Sequence, residues 1–214
     1  MCRLLLVHNP AGIDPNAYLN DFRTMCAESQ EYQGHGWGCT WRNQNQWAQY
    51  HNINPIWEDS KSDFPKTTLF LVHARSAFRD EGIVVENNMP FVDERNAFIF
   101  NGELRGVKVK AEGRIGAEKI FNYIKRFDKG DMSHAINRAT GIIVNRSRYI
   151  RAMNFVLATP EYAYIYSLYS EDEAYFQMQQ SLENGTTVVS SRPIATHTGA
   201  WQPIANKSMF SIKL

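Results

Sequence analysis

The 214-residue chain lacks most features that would tie it to a membrane, a nucleic acid or a metal. No apolar run approaches the roughly 20 residues of a membrane-spanning helix. The apolar stretch Leu4 to Val7 gives way at once to His8-Asn9-Pro10, with no basic region before it, so it does not read as a secretory signal. Neither sign of charge is in excess: 23 basic and 22 acidic side chains leave a formal charge of +1, which offers nothing to a polyanion or an anionic membrane. The three cysteines, Cys2, Cys26 and Cys39, are too few and too scattered for a disulfide framework or a zinc site. His35, His51, His134 and His197 show no ligand spacing. There is no glycine-rich phosphate loop, internal repeat or low-complexity tract. These absences predict a cytoplasmic protein with reduced thiols, no resident metal or cofactor, and neither nucleic acid nor membrane as partner.

An apolar content of 43% and a charged content of 21% suit one buried core, and the absence of a linker argues for a single domain over 1–214. Met1 to Val7 reads as a strand broken by Asn9-Pro10-Ala11-Gly12. Tyr18, Leu19, Phe22 and Met25 recur at helical spacing between Pro15 and Gln30. In the Gly- and Trp-rich segment from His35 to Gln49, Trp37, Cys39 and Trp41 alternate as in a half-buried strand. Thr67 to His73 is a buried strand, and Ala97 to Phe100 is another, ending at a predicted Asn101-Gly102 turn. Helices are predicted from Ile115 to Phe127 and from Met132 to Asn145, followed by strands at Ala152–Ala158, Tyr162–Leu168, Thr186–Ser190 and Met209–Lys213. Strands, two consecutive helices and strands again predict a mixed α/β layer fold with antiparallel sheets.

Cys2 is the residue with the most chemistry in its position. Removal of Met1 would leave a thiol and a free α-amine on one carbon: a strong nucleophile once deprotonated, beside a base with a reference pKa of ~7.7–8.0. Four further segments come after it in order: Gly34-His35-Gly36-Trp37-Gly38, His73-Ala74-Arg75-Ser76-Ala77, Asn87-Asn88-Met89-Pro90-Phe91 and Phe98-Ile99-Phe100-Asn101-Gly102. Taken singly, each has a bland reading: a turn, a surface arginine, a packed strand. Taken together, behind Cys2, they favour catalysis.

In this order the segments resemble the class II glutamine amidotransferases, N-terminal-nucleophile hydrolases, and most closely their short free-standing type, such as the amidohydrolase of the ergothioneine pathway. Asn154 to Ala158, and Val188 to Pro193 followed by Trp201, extend the resemblance over essentially the whole chain. The resemblance implies an α+β fold: a four-layer αββα sandwich of two antiparallel sheets between helical layers. It implies a hydrolase acting on a linear carboxamide, with Cys2 as nucleophile and its own amine as base and then acid. Asn101 and Gly102 would form the oxyanion hole, and Arg75 would clamp a substrate carboxylate. Gly36, with Gly38, would shape the pocket wall beside Trp37.

The departures from the family pattern bear on specificity. Gly116 stands where the family has an aspartate that binds the α-ammonium of glutamine. Phe100 and Met89 replace histidines, and Phe78 replaces a threonine, which makes the surroundings more apolar. A γ-glutamyl amide with another amine, or an amide with a modified or absent α-amino group, therefore fits better than glutamine itself. Two alternatives stay open: a catalytically silent binding or regulatory protein that keeps the fold, and a glutaminase subunit that feeds ammonia to a separate synthase. A homo-oligomer is equally open.

Overall fold

The computed structural model describes residues 1–43 and 46–214; positions 44–45 of the Gly/Trp-rich segment lie outside the described residues. In chain order the main elements are β1 (Arg3–Ile13), α1 (Pro15–Ala27), β2 (Trp37–Asn43), β3 (Gln46–Asn52), β4 (Thr67–Ala74), β5 (Phe91–Val92), β6 (Ala97–Arg105), α2 (Gly116–Lys125) and α3 (Met132–Arg146). They continue with β7 (Tyr149–Ala158), β8 (Tyr162–Ser167), α4 (Glu173–Phe176), β9 (Gln179–Glu183), β10 (Thr186–Ser190), β11 (Gln202–Pro203) and β12 (Ser208–Lys213). The strands form a seven-stranded sheet in the order β11-β9-β10-β1-β4-β2-β3 and a five-stranded sheet in the order β12-β8-β7-β6-β5. Every described strand pair is antiparallel.

The pleat assigns the layers, because successive side chains point to opposite faces. Leu4 and Leu6 of β1, with Leu69 and Leu71 of β4, join Ile99 and Val156 in the core between the sheets. Leu5, Val7, Phe70 and Val72 instead pack on Leu19, Phe22 and Met25 of α1. On the other side Phe98 stacks on Phe121 of α2 at 5.1 Å, and Ile136, Ala139 and Ile143 of α3 complete that layer. The result is a four-layer αββα sandwich. No helix among the described residues is long and apolar enough to cross a membrane.

Two expectations fail at the same kind of place. Asn9 to Gly12 does not end β1: the strand runs on to Ile13 through a register shift after His8, with Gly12 at φ +93°. Asn101-Gly102 is not a turn: β6 passes straight through it, with Asn101 paired to Asn154 and Gly102 to Met153. In both cases sheet pairing overrides a local turn preference, as context does for strand residues generally. The other elements predicted from periodicity are present within a few residues of their expected ends.

Candidate active site

Cys2 immediately precedes β1, and strand alternation puts it on the inner face with Leu4 and Leu6. The β1–β4 register pairs Leu4 with His73 and Arg3 with Ala74, so one further step sets Cys2 against Arg75. The Arg75 backbone continues the sheet by donating to Gly36 O at 2.8 Å and accepting from His35 N at 3.1 Å. The sheet therefore gathers Cys2, Arg75 and Gly36 at one end of the sandwich. Gly36 is demanded twice: its φ is +97°, and an added Cβ would lie 2.1 Å from the Asn88 side chain and 2.8 Å from Asn52 O.

The opposite wall comes from β6. Since Phe98 faces α2, alternation turns Ile99 and Asn101 toward the seven-stranded sheet. His73 reaches across from β4 and donates Nε2–H to Phe100 O at 2.9 Å, tying the two walls together beside Asn101. Asn101 is buried, its Oδ1 has no partner, and no described protein group takes a hydrogen bond from its amide nitrogen. Buried amides are normally satisfied, so unspent capacity at this position is notable. Gly102 follows because a Cβ there would fall 2.2 Å from Ala152 O.

The Cys2 thiol is buried and lies in the backbone of Ser76, whose N–H points at Sγ from 3.4 Å. Burial raises the thiol pKa above its ordinary value; the Met1 ammonium, the Ser76 N–H and Arg75 work against that shift, and Glu31 works with it. Burial therefore favours the protonated thiol at Cys2. Arg75 is buried and donates to Gly82 O at 2.8 Å; among the described residues no carboxylate forms an ion pair with its guanidinium.

Residues with no assigned role in the sequence surround Met1. Its ammonium pairs with Glu31, which Arg151 holds at 2.9 Å. Its carbonyl accepts from Gln33 Nε2 at 2.6 Å and from the Tyr175 hydroxyl. Its side chain packs against Ala152, Tyr169, Tyr175 and Phe176. None of these partners stands out in the sequence, since the contacts join residues 30 or more positions apart.

Three expected roles need correction. Trp37 is not a substrate-binding residue beside the pocket wall: it sits on the outer face, fully buried against Tyr50 and Phe64, and donates Nε1–H to Asp59 at 3.0 Å. Odd positions of β2 face α1, so the wall role cannot pass from Gly36 to its neighbour. Phe100 likewise points to the helical side, beside Phe98. Gly116 is the exposed first residue of α2, with nothing within 4 Å of a built Cβ. Near that helix a cavity of about 290 Å³ is lined by His51, Asn88, Arg114 and Glu118 among others, and by none of Cys2, Arg75 or Asn101. No group of three or more His, Cys, Asp or Glu among the described residues is placed to hold a metal ion.

No protein-family model matches the sequence, and no curated protein matches it either. Solved structures do. The chain resembles a glutamine aminotransferase class-II domain protein from Silicibacter pomeroyi at 18% identity, with a TM-score of 0.64, covering 99% of this chain and 95% of that one. It resembles a predicted glutamine amidotransferase from Pseudomonas aeruginosa at 12% identity and TM-score 0.60, covering 98% and 96%. An allosteric regulatory enzyme of purine biosynthesis superposes at TM-score 0.74 and 15% identity, over 99% of this chain but 47% of that one, so this chain spans about half of that enzyme. The shared fold is the α+β, two-sheet arrangement of the class II amidotransferase domains.

Proposed function

We propose that the protein is an amidohydrolase in which Cys2, freed by removal of Met1, cleaves a glutamine-like or γ-glutamyl amide. The observation that carries this reading is the convergence on one inner end of the sandwich of a buried thiol, a buried arginine with no ion pair among the described residues and a buried asparagine with unspent hydrogen-bonding capacity. The fold shared with amidotransferase domains supports it.

The chemistry follows from the raised thiol pKa. The α-amine of Cys2 takes the thiol proton as Sγ attacks the amide carbon, a step that needs a base near neutrality. Negative charge develops on the carbonyl oxygen, where the Asn101 amide and the Gly102 N–H would donate. The C–N bond then breaks as the α-ammonium returns its proton to the departing nitrogen. Water attacks the thioester carbon, the C–S bond breaks, and the thiol is restored with release of the acid. Arg75 would hold a carboxylate on the acyl half.

Gly116, exposed at the start of α2 with nothing within 4 Å of a built Cβ, carries no part of this reading. The deciding experiment combines intact mass with amidase assays on L-glutamine and γ-glutamyl dipeptides. The reading requires a chain that starts at Cys2 and loses hydrolysis in Cys2→Ala. Uniform retention of Met1, whose amine Glu31 already pairs, would instead leave a silent binding protein. Glutamine hydrolysis that appears only with a synthase added would make it an ammonia-supplying subunit.

A further inference from the structure

We infer that the space filled by Met1 becomes, in the chain starting at Cys2, a binding site for a free α-amino acid with an unbranched apolar side chain, the amine half of a γ-glutamyl–amino acid substrate. This rests on the hydrolase reading for its catalytic meaning, though the site is argued from its own contacts.

Each part of Met1 is separately recognised. The ammonium pairs with Glu31, which Arg151 fixes while also binding Asp172 at 2.7 Å. The thioether chain lies on Ala152, Tyr169, Tyr175 and Phe176. The carbonyl receives two hydrogen bonds, from Gln33 and Tyr175. Gln33 is fully buried, and its Oε1 has no partner, which leaves an acceptor facing a place where a new donor would be welcome.

Hydrolysis of the Met1–Cys2 bond adds one water, turning the Met1 carbonyl into a carboxylate and the Cys2 nitrogen into an ammonium. The two donors that held the carbonyl suit the carboxylate at least as well, and the Cys2 ammonium adds an opposite charge beside it. A zwitterionic amino acid therefore meets every partner that Met1 meets. Bond lengths limit the separation of the Met1 and Cys2 nitrogens to under about 4.3 Å. An amine seated on Glu31 is thus near enough to receive a proton, directly or through one water, from the group that would protonate a leaving nitrogen. Glu31 and Arg75 both act on the Cys2 thiol, with opposite signs. The acyl half would meet the arginine and the amine half the glutamate.

The test uses full-length protein shown by mass to begin at Cys2. Calorimetry with L-methionine should give saturable binding, weakened about tenfold or more for N-acetyl-L-methionine, which lacks the ammonium, and for L-methioninol, which lacks the carboxylate. L-aspartate should not bind. Glu31→Gln should weaken L-methionine similarly, and because that variant disturbs Arg151, the analogue series on wild-type protein stands as the independent measurement. In kinetics, kcat/KM for γ-glutamylmethionine should exceed that for L-glutamine about tenfold, with the ratio falling toward one in Glu31→Gln. Equal binding of N-acetyl-L-methionine, or equal kcat/KM for dipeptide and glutamine, overturns the site while leaving the hydrolase reading intact. Binding of L-methionine that depends on Glu31, in a protein that cleaves no amide, upholds the site and overturns the hydrolase reading.

Discussion

The two faces of the seven-stranded sheet are built from alternate residues of the same strands, yet they hold different chemistry. The inner face collects His73 and Arg75 from β4 and its extension and Cys2 from the start of β1, with Gly36 beside them. The outer face, one residue away in each strand, carries Trp37, Cys39, Val72 and Ala74, packed with Cys26 under α1. All three thiols are buried and raised by desolvation. What distinguishes Cys2 is its company: a backbone N–H on the sulfur with two positive groups and one carboxylate nearby, against one carboxylate and one lysine near Cys39 and one arginine near Cys26. On the proposed reading, surroundings and not depth of burial separate Cys2 from the other two, since all three are buried.

The largest expected effect tests that comparison directly. Cys2→Ala should remove amide hydrolysis entirely, whereas Cys26→Ala and Cys39→Ala should keep kcat and lose only about 1 kcal/mol of stability, read by denaturant melts. Retained turnover in Cys2→Ala would erase the distinction between the faces. Next, Asn101→Ala on the inner wall should lower kcat by ~10²–10³, the usual effect of losing one oxyanion donor, with thermal stability changed far less. Trp37→Ala on the outer face should do the reverse. It removes a fully buried ring and the indole bond to Asp59, so about 3–5 kcal/mol of stability should go, while protein that remains folded keeps its kcat/KM.

The smallest effect concerns pH. Burial holds the His73 imidazole neutral, with its pKa pushed down to about 3. The unfolded chain takes up that proton below pH ~6.5 and the folded chain does not until about 3, so this contribution to stability is full above ~6.5 and declines as pH falls through that window. His8 and His51 are depressed as well and act in the same direction. His73→Asn, which can still donate to Phe100 O, should lose about 1–2 kcal/mol less than wild type between pH 7 and pH 5, measured by urea midpoints. An unchanged pH slope would show that His73 is not the buried neutral link described.

Much of this is legible in the amino-acid sequence itself. Helical spacing in α1 and α2 and the apolar run of β4 marked elements that exist within a few residues of their predicted ends. Cys2, Arg75, Asn101 and Gly102 stood out by type and order. Facing was harder to read. Trp37 lies between two glycines that face inward, and only knowing that Leu4 and Leu71 face the second sheet reveals that Trp37 does not. Asn101-Gly102 has the local signature of a turn, and only its pairing partners in β7 hold it straight. Glu31, Tyr175 and Arg151 are 120 or more residues apart in two of their three pairings with each other, so no spacing rule could join them.

The His73–Phe100 hydrogen bond has a counterpart at the other end of the sandwich, where Arg42 of β2 donates to Pro160 O at 3.0 Å in the β7–β8 connection. Apolar contact alone is non-directional and lets stacked sheets slide; two directional bonds at opposite ends pin both the offset and the angle between them. The two sheets are thereby held in one offset and one angle at both ends of the sandwich. The stretch from Phe78 to Asn88 lies outside this frame, with Ile83, Val84 and Val85 39%, 46% and 37% exposed and Arg75 gripping the chain through Gly82 O. Amide hydrogen exchange should be fast in this stretch and slow in β1, β4 and β7.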